Sequence, residues 1–245
     1  MLLGISTGCF FKLDFSRIEM LRFCRQFDAD AIELTFAFPQ DVFDFSPSQE
    51  DIAFLRSKKY VSLHAPFKGV AYGNDSETKR LLSALNSLSL AVGAKNIVFH
   101  DNVINDFSHF SGLDFTPLIE NLGVKSTTSK TISAKQVSEF LSAHKDFDFC
   151  FDVCYVFSHS AEPKDFLVFG KRLKQVHLHF PHASNLEFSK HSLPSKAEKT
   201  LLEKTKPVFS LNVPLILEAY NFDSNDADSI VIEVKKELDF LRSLG

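Results

Sequence analysis

Six short apolar runs in the chain each end on a histidine, an aspartate or a glutamate. They read Val61-Ser62-Leu63-His64, Asn96-Ile97-Val98-Phe99-His100, Pro117-Leu118-Ile119-Glu120, Phe149-Cys150-Phe151-Asp152, Gln175-Val176-His177-Leu178-His179 and Leu215-Ile216-Leu217-Glu218. Runs of this length, rich in valine, isoleucine and phenylalanine, suit strands buried on both faces. An ionisable group at the end of each such run is costly to bury unless the ends converge on a shared site. A parallel barrel with a metal at its mouth meets that requirement.

The segments between the runs support the same architecture. Strands are expected at Leu2–Ser6, Ala31–Leu34, Val61–His64, Asn96–His100, Phe115–Glu120, Asp148–Asp152, Lys174–His179 and Pro214–Glu218. Helical patterns occupy Phe15–Phe27, Ser48–Leu55, Ser76–Val92, Ser133–His144, Pro163–Gly170, Lys196–Lys204 and Ser224–Leu244. The clearest is Ser76–Val92, with Leu81, Leu82, Leu85, Leu88 and Val92 on one stripe and Gly93 at the C-terminal cap position. Ser48, with Asp51 three residues on, has the spacing of a capping box. Too few residues separate the fourth and fifth strands for a full crossover helix, so a truncated or 3-10 connection is expected there. Pro181–Ser195 reads as a long polar loop.

Alternating strands and helices imply a parallel α/β fold. The chain of 245 residues suits one (β/α)8 barrel spanning 1–245, with a shortened fourth connection and no internal linker. A doubly wound open sheet satisfies the same periodicity.

Composition narrows the function classes. A net charge of -4 gives no reason to expect nucleic acid as a default partner, although Lys171, Arg172 and Lys174 form a small basic cluster. The 27 phenylalanines imply a Phe-filled core. Four cysteines without a CxxC pair argue for reduced thiols and a cytoplasmic setting. No apolar stretch has the length of a membrane span, and no basic-then-apolar N-terminal leader is expected. Neither GxGxxG, a Walker pattern, GxSxG nor HExxH occurs.

The chemistry-bearing candidates are therefore the strand ends. Glu120, Asp152 and Glu218, with His177, offer carboxylate and imidazole donors that suit Zn2+ or Mn2+ better than Mg2+. His64 and His100 can bind metal, orient a hydroxyl or bond a backbone carbonyl. His179, two residues after His177, points to the same side of its strand. His182 and His191 fall in the long polar loop, where a histidine is ordinarily solvated. Glu33, at the end of the second strand, fits a structural or ligand-orienting role. Cys154 fits a small packing residue.

In this order the strand ends resemble the xylose isomerase-like TIM barrel superfamily, which includes sugar-phosphate isomerases and epimerases and endonuclease IV. The resembling motifs are His64-Ala65-Pro66, His100, Leu118-Ile119-Glu120-Asn121, Phe151-Asp152, Val176-His177-Leu178-His179, His191-Ser192-Leu193-Pro194 and Leu217-Glu218. The resemblance implies a divalent metal held by Glu120, Asp152, His177 and Glu218. In the isomerase branch it further implies that Glu120 and Glu218 move the proton of a 2-hydroxy ketone through an enediolate. In the endonuclease branch it implies a zinc cluster that adds His64, His100 and His191. The chain departs from the pattern at Tyr155 and Ser189, where the endonuclease motif has His and Asp, and at Ala183, where an Arg is common.

Three functional expectations follow. The first is a metal-dependent isomerase or epimerase acting on a sugar-like small molecule. His64, His100, His179, His191 and Tyr155 would then contact substrate or an outer metal. The second is an endonuclease IV-like apurinic endonuclease, the only reading that needs nucleic acid. The third is a non-catalytic binding protein on the same barrel.

Overall fold

Strand Pro214–Leu217 pairs in parallel with Leu2–Ser6, and that contact closes the sheet into a barrel. The computed structural model describes residues 1–123, 128–158, 161–182 and 187–245, and of 182 and 187–190 the backbone alone. The barrel strands are β1 (Leu2–Ser6), β2 (Ala31–Thr35), β3 (Tyr60–His64), β4 (Asn96–His100), β5 (Thr116–Glu120), β6 (Asp148–Asp152), β7 (Leu173–Leu178) and β10 (Pro214–Leu217). Strands β8 (Phe180–His182) and β9 (Glu187–Ser192) form a separate antiparallel hairpin. The helices are α1 (Arg17–Phe23), α2 (Pro39–Asp44), α3 (Gln49–Arg56), α4 (Ser76–Val92), α5 (Ala134–Ala143), α6 (Val153–Phe157), α7 (Lys199–Phe209) and α8 (Ala227–Arg242). No helix among the described residues is long and apolar enough to cross a membrane.

Alternation along each strand sorts its side chains. Ile97, Phe99, Ile119, Phe149, Phe151, Val176 and Leu178 face outward and join the large core beneath the helices. Val98, Leu118 and Cys150 form a small separate cluster in the barrel interior. The interior is narrow near β1: a Cβ on Gly4 would come within 2.5 Å of Ile216 Cδ1 and 2.7 Å of Ala31 Cβ. Phenylalanine fills the outer layer as expected, with Phe99 edge-on to Phe110 and Phe151 stacked on Phe166.

Most expected elements form, and the differences have local causes. Between β4 and β5 the chain makes two 3-10 segments, Asp101–Val103 and Ser108–Phe110, the shortened connection the spacing requires. The helix pattern at Pro163–Gly170 becomes a 3-10 segment, Pro163–Arg172, kinked where Gly170 adopts φ 54°. The expected long loop instead forms the β8–β9 hairpin, and α7 starts later than expected, at Lys199. Helix α2 was not expected: Pro39 opens it, and Asp41 accepts hydrogen bonds from the Ala37 and Phe38 amides at 2.9 Å each. The basic cluster is at the other end of the barrel from the strand ends. There Arg172 and Lys174 pair with Asp148, the first residue of β6, at 3.1 and 3.2 Å.

Asp51 ties two helices together. Its carboxylate accepts from the Ser48 amide and hydroxyl at the start of α3, from Arg22 in the last turn of α1 and from Arg25 just beyond it. The Arg22 guanidinium, then Ser48, hold its carboxyl down at about 2. A carboxyl lowered on folding contributes stability above its unfolded pKa of about 4, lost as pH falls through the folded value. Arg22 is half exposed, so solvent screens part of that contribution. Asp51→Asn is therefore expected to cost on the order of 1 kcal/mol at neutral pH, and to flatten the loss of stability between about pH 4 and 2. Urea midpoints across that range check both.

Candidate active site at the barrel mouth

All eight barrel strands run the same way, so their C-terminal ends share one rim. His64, His100, Glu120 and Asp152 are the last residues of β3, β4, β5 and β6. Glu218 and His179 lie one residue beyond β10 and β7, and His177 lies within β7. His191 comes from β9, and Tyr155 from α6, which follows β6 without a loop. The Asp152 side chain caps α6 by accepting from the Tyr155 amide at 3.0 Å. Asn121 clamps the Asp152 backbone on both sides: its Oδ1 accepts the Asp152 amide at 2.8 Å and its Nδ2 donates to the Asp152 carbonyl at 2.9 Å.

His177 is the hub. Its Nδ1 lies 2.7 Å from Glu120 Oε1 and 3.3 Å from Glu218 Oε2. The second oxygen of Glu120 lies 2.9 Å from His100 Nε2 and 3.4 Å from His64 Nε2. His64 Nδ1 lies 3.0 Å from the Ala65 carbonyl, which can only accept. Nδ1 therefore donates there. Burial works to lower this imidazole, but the Glu120 and Glu33 carboxylates outweigh it and raise it, so that Nε2 faces Glu120 as a second donor. His179 Nε2 meets Asp152 Oδ2 at 2.7 Å, and its ring stacks on His191 with centroids 3.6 Å apart. Tyr155 packs edge-on against both rings.

Burial and mutual charge set the protonation of the group. Burial works to raise Glu120, but His177, His100 and His64 outweigh it and hold the carboxyl well below the usual range. Burial lifts Glu218 to about 8, with Glu120 and Glu33 repelling its charge against the pull of His177 and His64. Burial, then the Glu120 charge, lifts Asp152 as well. His177 is raised well above its ordinary value because Cys150 and the Glu33, Glu218 and Glu120 carboxylates outweigh burial. Burial, then the His177 charge, lowers His179 to about 3, and burial beside His179 lowers His191. Both are therefore neutral imidazoles.

Sequence reasoning gave Glu33 a structural or ligand-orienting role and left Gln175, Tyr60 and Asn96 unmarked. Glu33 is buried in the barrel interior, with Oε2 3.1 Å from His177 Nε2 and accepting from Gln175 Nε2 and from the Ser62 hydroxyl at 3.2 Å. Tyr60 donates to Gln175 Oε1 at 2.8 Å, and Asn96 donates to Tyr60 at 3.0 Å. A chain of hydrogen bonds thus runs from the starts of β3 and β4 up to His177. Gln175 was discoverable, since it lies two residues before His177 on the same face. Asn121 was marked only by its place after Glu120. His191, expected on a loop, is instead held on β9 beneath Tyr220, with ring centroids 4.6 Å apart. His159 and Ala183 lie outside the described residues, as do the side chains of His182 and Ser189.

The donor set fits a divalent ion. One potential ligand atom from each of Glu120, Asp152, His177 and Glu218 lies within 4.8 Å of the others. The groups His64–His100–Glu120 and His179–His191–Glu218 meet the same spacing. Among the described residues, two buried polar atoms of this cluster lack a hydrogen-bond partner: Glu33 Oε1 and His179 Nδ1. Unsatisfied acceptors at this depth are what a bound cation relieves.

Solved structures share this architecture. A D-tagatose 3-epimerase-like protein is 16% identical over 99% of each chain, with a TM-score of 0.65. Endonuclease IV from Thermus thermophilus is 14% identical over 98% of this chain and 100% of its own, at 0.66. The IOLI protein, solved with a bound zinc atom, is 13% identical over 98% of each chain, at 0.69. No protein-family model matches the sequence, and comparison with curated proteins finds no match. The chain thus has the (β/α)8 TIM barrel fold.

The raised Glu218 carboxyl has a measurable consequence in metal-free protein. A carboxyl protonated in the folded state and ionised in the unfolded one makes stability fall as pH rises between the two pKa values. Metal-free Glu218→Gln is expected to lack that component. Its melting temperature, relative to the parent, should therefore climb as pH goes from about 5 to about 8. Melting curves of both proteins in chelator across that range provide the check.

Proposed function

We propose that the protein is a divalent-metal-dependent isomerase or epimerase acting on a sugar or small hydroxy-carbonyl compound. The observation that carries this reading is the meeting of Glu120 and Glu218 at one imidazole nitrogen, His177 Nδ1, from β5 and from beyond β10. In the closed sheet those strands are separated by β6 and β7, so the two carboxylates approach from different sides of the mouth. Moving a proton at a carbon beside a carbonyl needs one group to remove it and another to return it. Glu120 and Glu218, both within reach of His177 Nδ1, are the two carboxylates placed to exchange that proton. A divalent ion, with Zn2+ or Mn2+ best suited to the donors, would polarise the substrate oxygens when bound.

In this reading Glu120, Asp152, His177 and Glu218 hold the ion, while Glu120 and Glu218 also move the proton. His64, His100, His179, His191 and Tyr155 surround the substrate. A second reading, an apurinic endonuclease, draws support from the two further donor groups around His64 and His191. The walls of the mouth oppose it. Among the described residues the cleft is lined by only two cationic side chains, Arg17 and Lys68, and Arg17 is paired to Asp41 at 3.0 Å. Neutralising successive phosphates requires several.

Protein loaded with Zn2+ or Mn2+ is expected to exchange the hydroxymethyl protons of a simple hydroxy ketone, dihydroxyacetone, with D2O. Proton NMR reads the rate. Glu120→Gln and Glu218→Gln should each slow it by about 100-fold or more. Exchange that is undiminished in both variants would overturn the assignment. Cleavage of an abasic duplex by protein holding three zinc ions would favour the second reading instead.

A further inference from the structure

The cleft that opens from the acidic cluster continues well beyond it, to about 800 Å3, and its far part changes character. Its lining there is Phe11, Leu13, Phe15, Ile18, Phe38 and Phe67, from the segments that follow β1, β2 and β3. Phe11 and Phe38 are 49% and 48% exposed, in a protein whose other large apolar side chains are mostly buried. Phe11 is braced edge-on by Tyr220 at 4.7 Å between centroids, so its exposed face is held in place. Half-exposed rings at a cleft mouth lose their water when a ligand covers them.

The electrostatics of this part disfavour an anion. Helices α1 and α2 both start on the cleft wall, where their amides could bind a phosphate. Both starts are already filled by the chain's own acids. Glu19 accepts from the Ser16 amide at 2.7 Å, and Asp41 accepts from the Ala37 and Phe38 amides. Asp14 and Asp44 add negative charge to the lining. Arg17 is held by Asp41, which leaves Lys68, lying over the Phe67 and Phe38 rings, as the lining cation without an ion pair among the described residues, with Lys12 over the Tyr220 ring at the rim.

We propose that the phenylalanine-lined part of the cleft is a substrate subsite for an uncharged aromatic or alicyclic substituent. The substrate class is then an unphosphorylated hydroxy-carbonyl compound: its polar end meets the Glu120–Glu218 cluster and its apolar end covers Phe11 and Phe38. The site volume suits such a molecule better than a bare triose or tetrose. The inference rests on the proposed reaction for the orientation of the substrate, and on the cleft itself for its chemistry.

Three probes test it by calorimetry on the zinc-loaded protein: dihydroxyacetone, dihydroxyacetone phosphate and 2-hydroxyacetophenone. The aryl ketone is expected to bind about tenfold or more tighter than dihydroxyacetone, and the phosphate ester no tighter than its parent. In Phe11→Ala/Phe38→Ala the aryl advantage should shrink to about twofold, with zinc content unchanged. The single variant Phe38→Asp, which places a charge in the same spot, should abolish it as well. Tightest binding of the phosphate ester overturns the proposal, as does an aryl preference that survives both variants. Exchange of the hydroxymethyl protons in D2O separates the two claims. Aryl preference without exchange removes the reaction and leaves the subsite, whereas exchange without aryl preference removes the subsite and leaves the reaction.

Discussion

Mutual neutralisation at the barrel mouth is the constraint on which the rest of this structure depends. Parallel strands deliver Glu33, Glu120, Asp152 and Glu218 toward one end of one interior. Glu33, Glu120 and Asp152 are buried and Glu218 is only 14% exposed, and isolated buried carboxylates cost several kcal/mol each. His177 answers three of them, His179 answers Asp152, and His64 and His100 share the second oxygen of Glu120. Such a network holds only if every member is placed by something rigid. Hence the hydrogen bonds descend through Gln175, Tyr60 and Asn96 toward the strand starts, and Asn121 pins the Asp152 backbone. The interior of this barrel holds this polar network beside a small apolar cluster, while the large apolar core lies outside the sheet.

The same arrangement divides the cleft into two chemistries. Where bonds would change, charged groups are packed so closely that their protonation states diverge, and acceptors are left for a cation. Away from that point, aromatic rings hold the wall and the helix starts keep their amides for their own acids. A ligand would therefore be oriented by polarity alone: its oxygens toward the strand ends, its carbon surface toward Phe11 and Phe38. The basic side chains of the chain do little here, because Arg172 and Lys174 are spent at the opposite end of the barrel.

Local pattern carried much of this. The strand ends at His64, His100, Glu120 and Asp152 were legible because an apolar run and the polar residue that stops it are neighbours in sequence. Helix α4 was legible from its stripe and from Gly93, whose φ of 79° completes the cap. Short elements were not: α2 and α6 have too few turns for a periodic signal, and the β8–β9 hairpin is too polar to announce a strand. The kink at Gly170 was hidden for a related reason, since one residue's backbone angle interrupts a stretch whose pattern is otherwise helical.

By itself the sequence determined the number and chain order of the barrel strands, the short fourth connection and the residues at which most of them stop. These depend on neighbours a few positions apart. Only the tertiary structure decided which of those residues touch. His177 and Glu33 are 144 positions apart, and His177 and Glu120 are 57 apart. Their meeting is set by closure of β1 against β10, which bends the strand ends into a ring. Glu33 read as a structural or ligand-orienting residue in the chain, and only the fold shows that the imidazole it meets is His177. His191 read as a loop residue and is instead held between His179 and Tyr220. Distances across a closed sheet follow from the number of strands between two residues, and the spacing of those residues along the chain does not contain them.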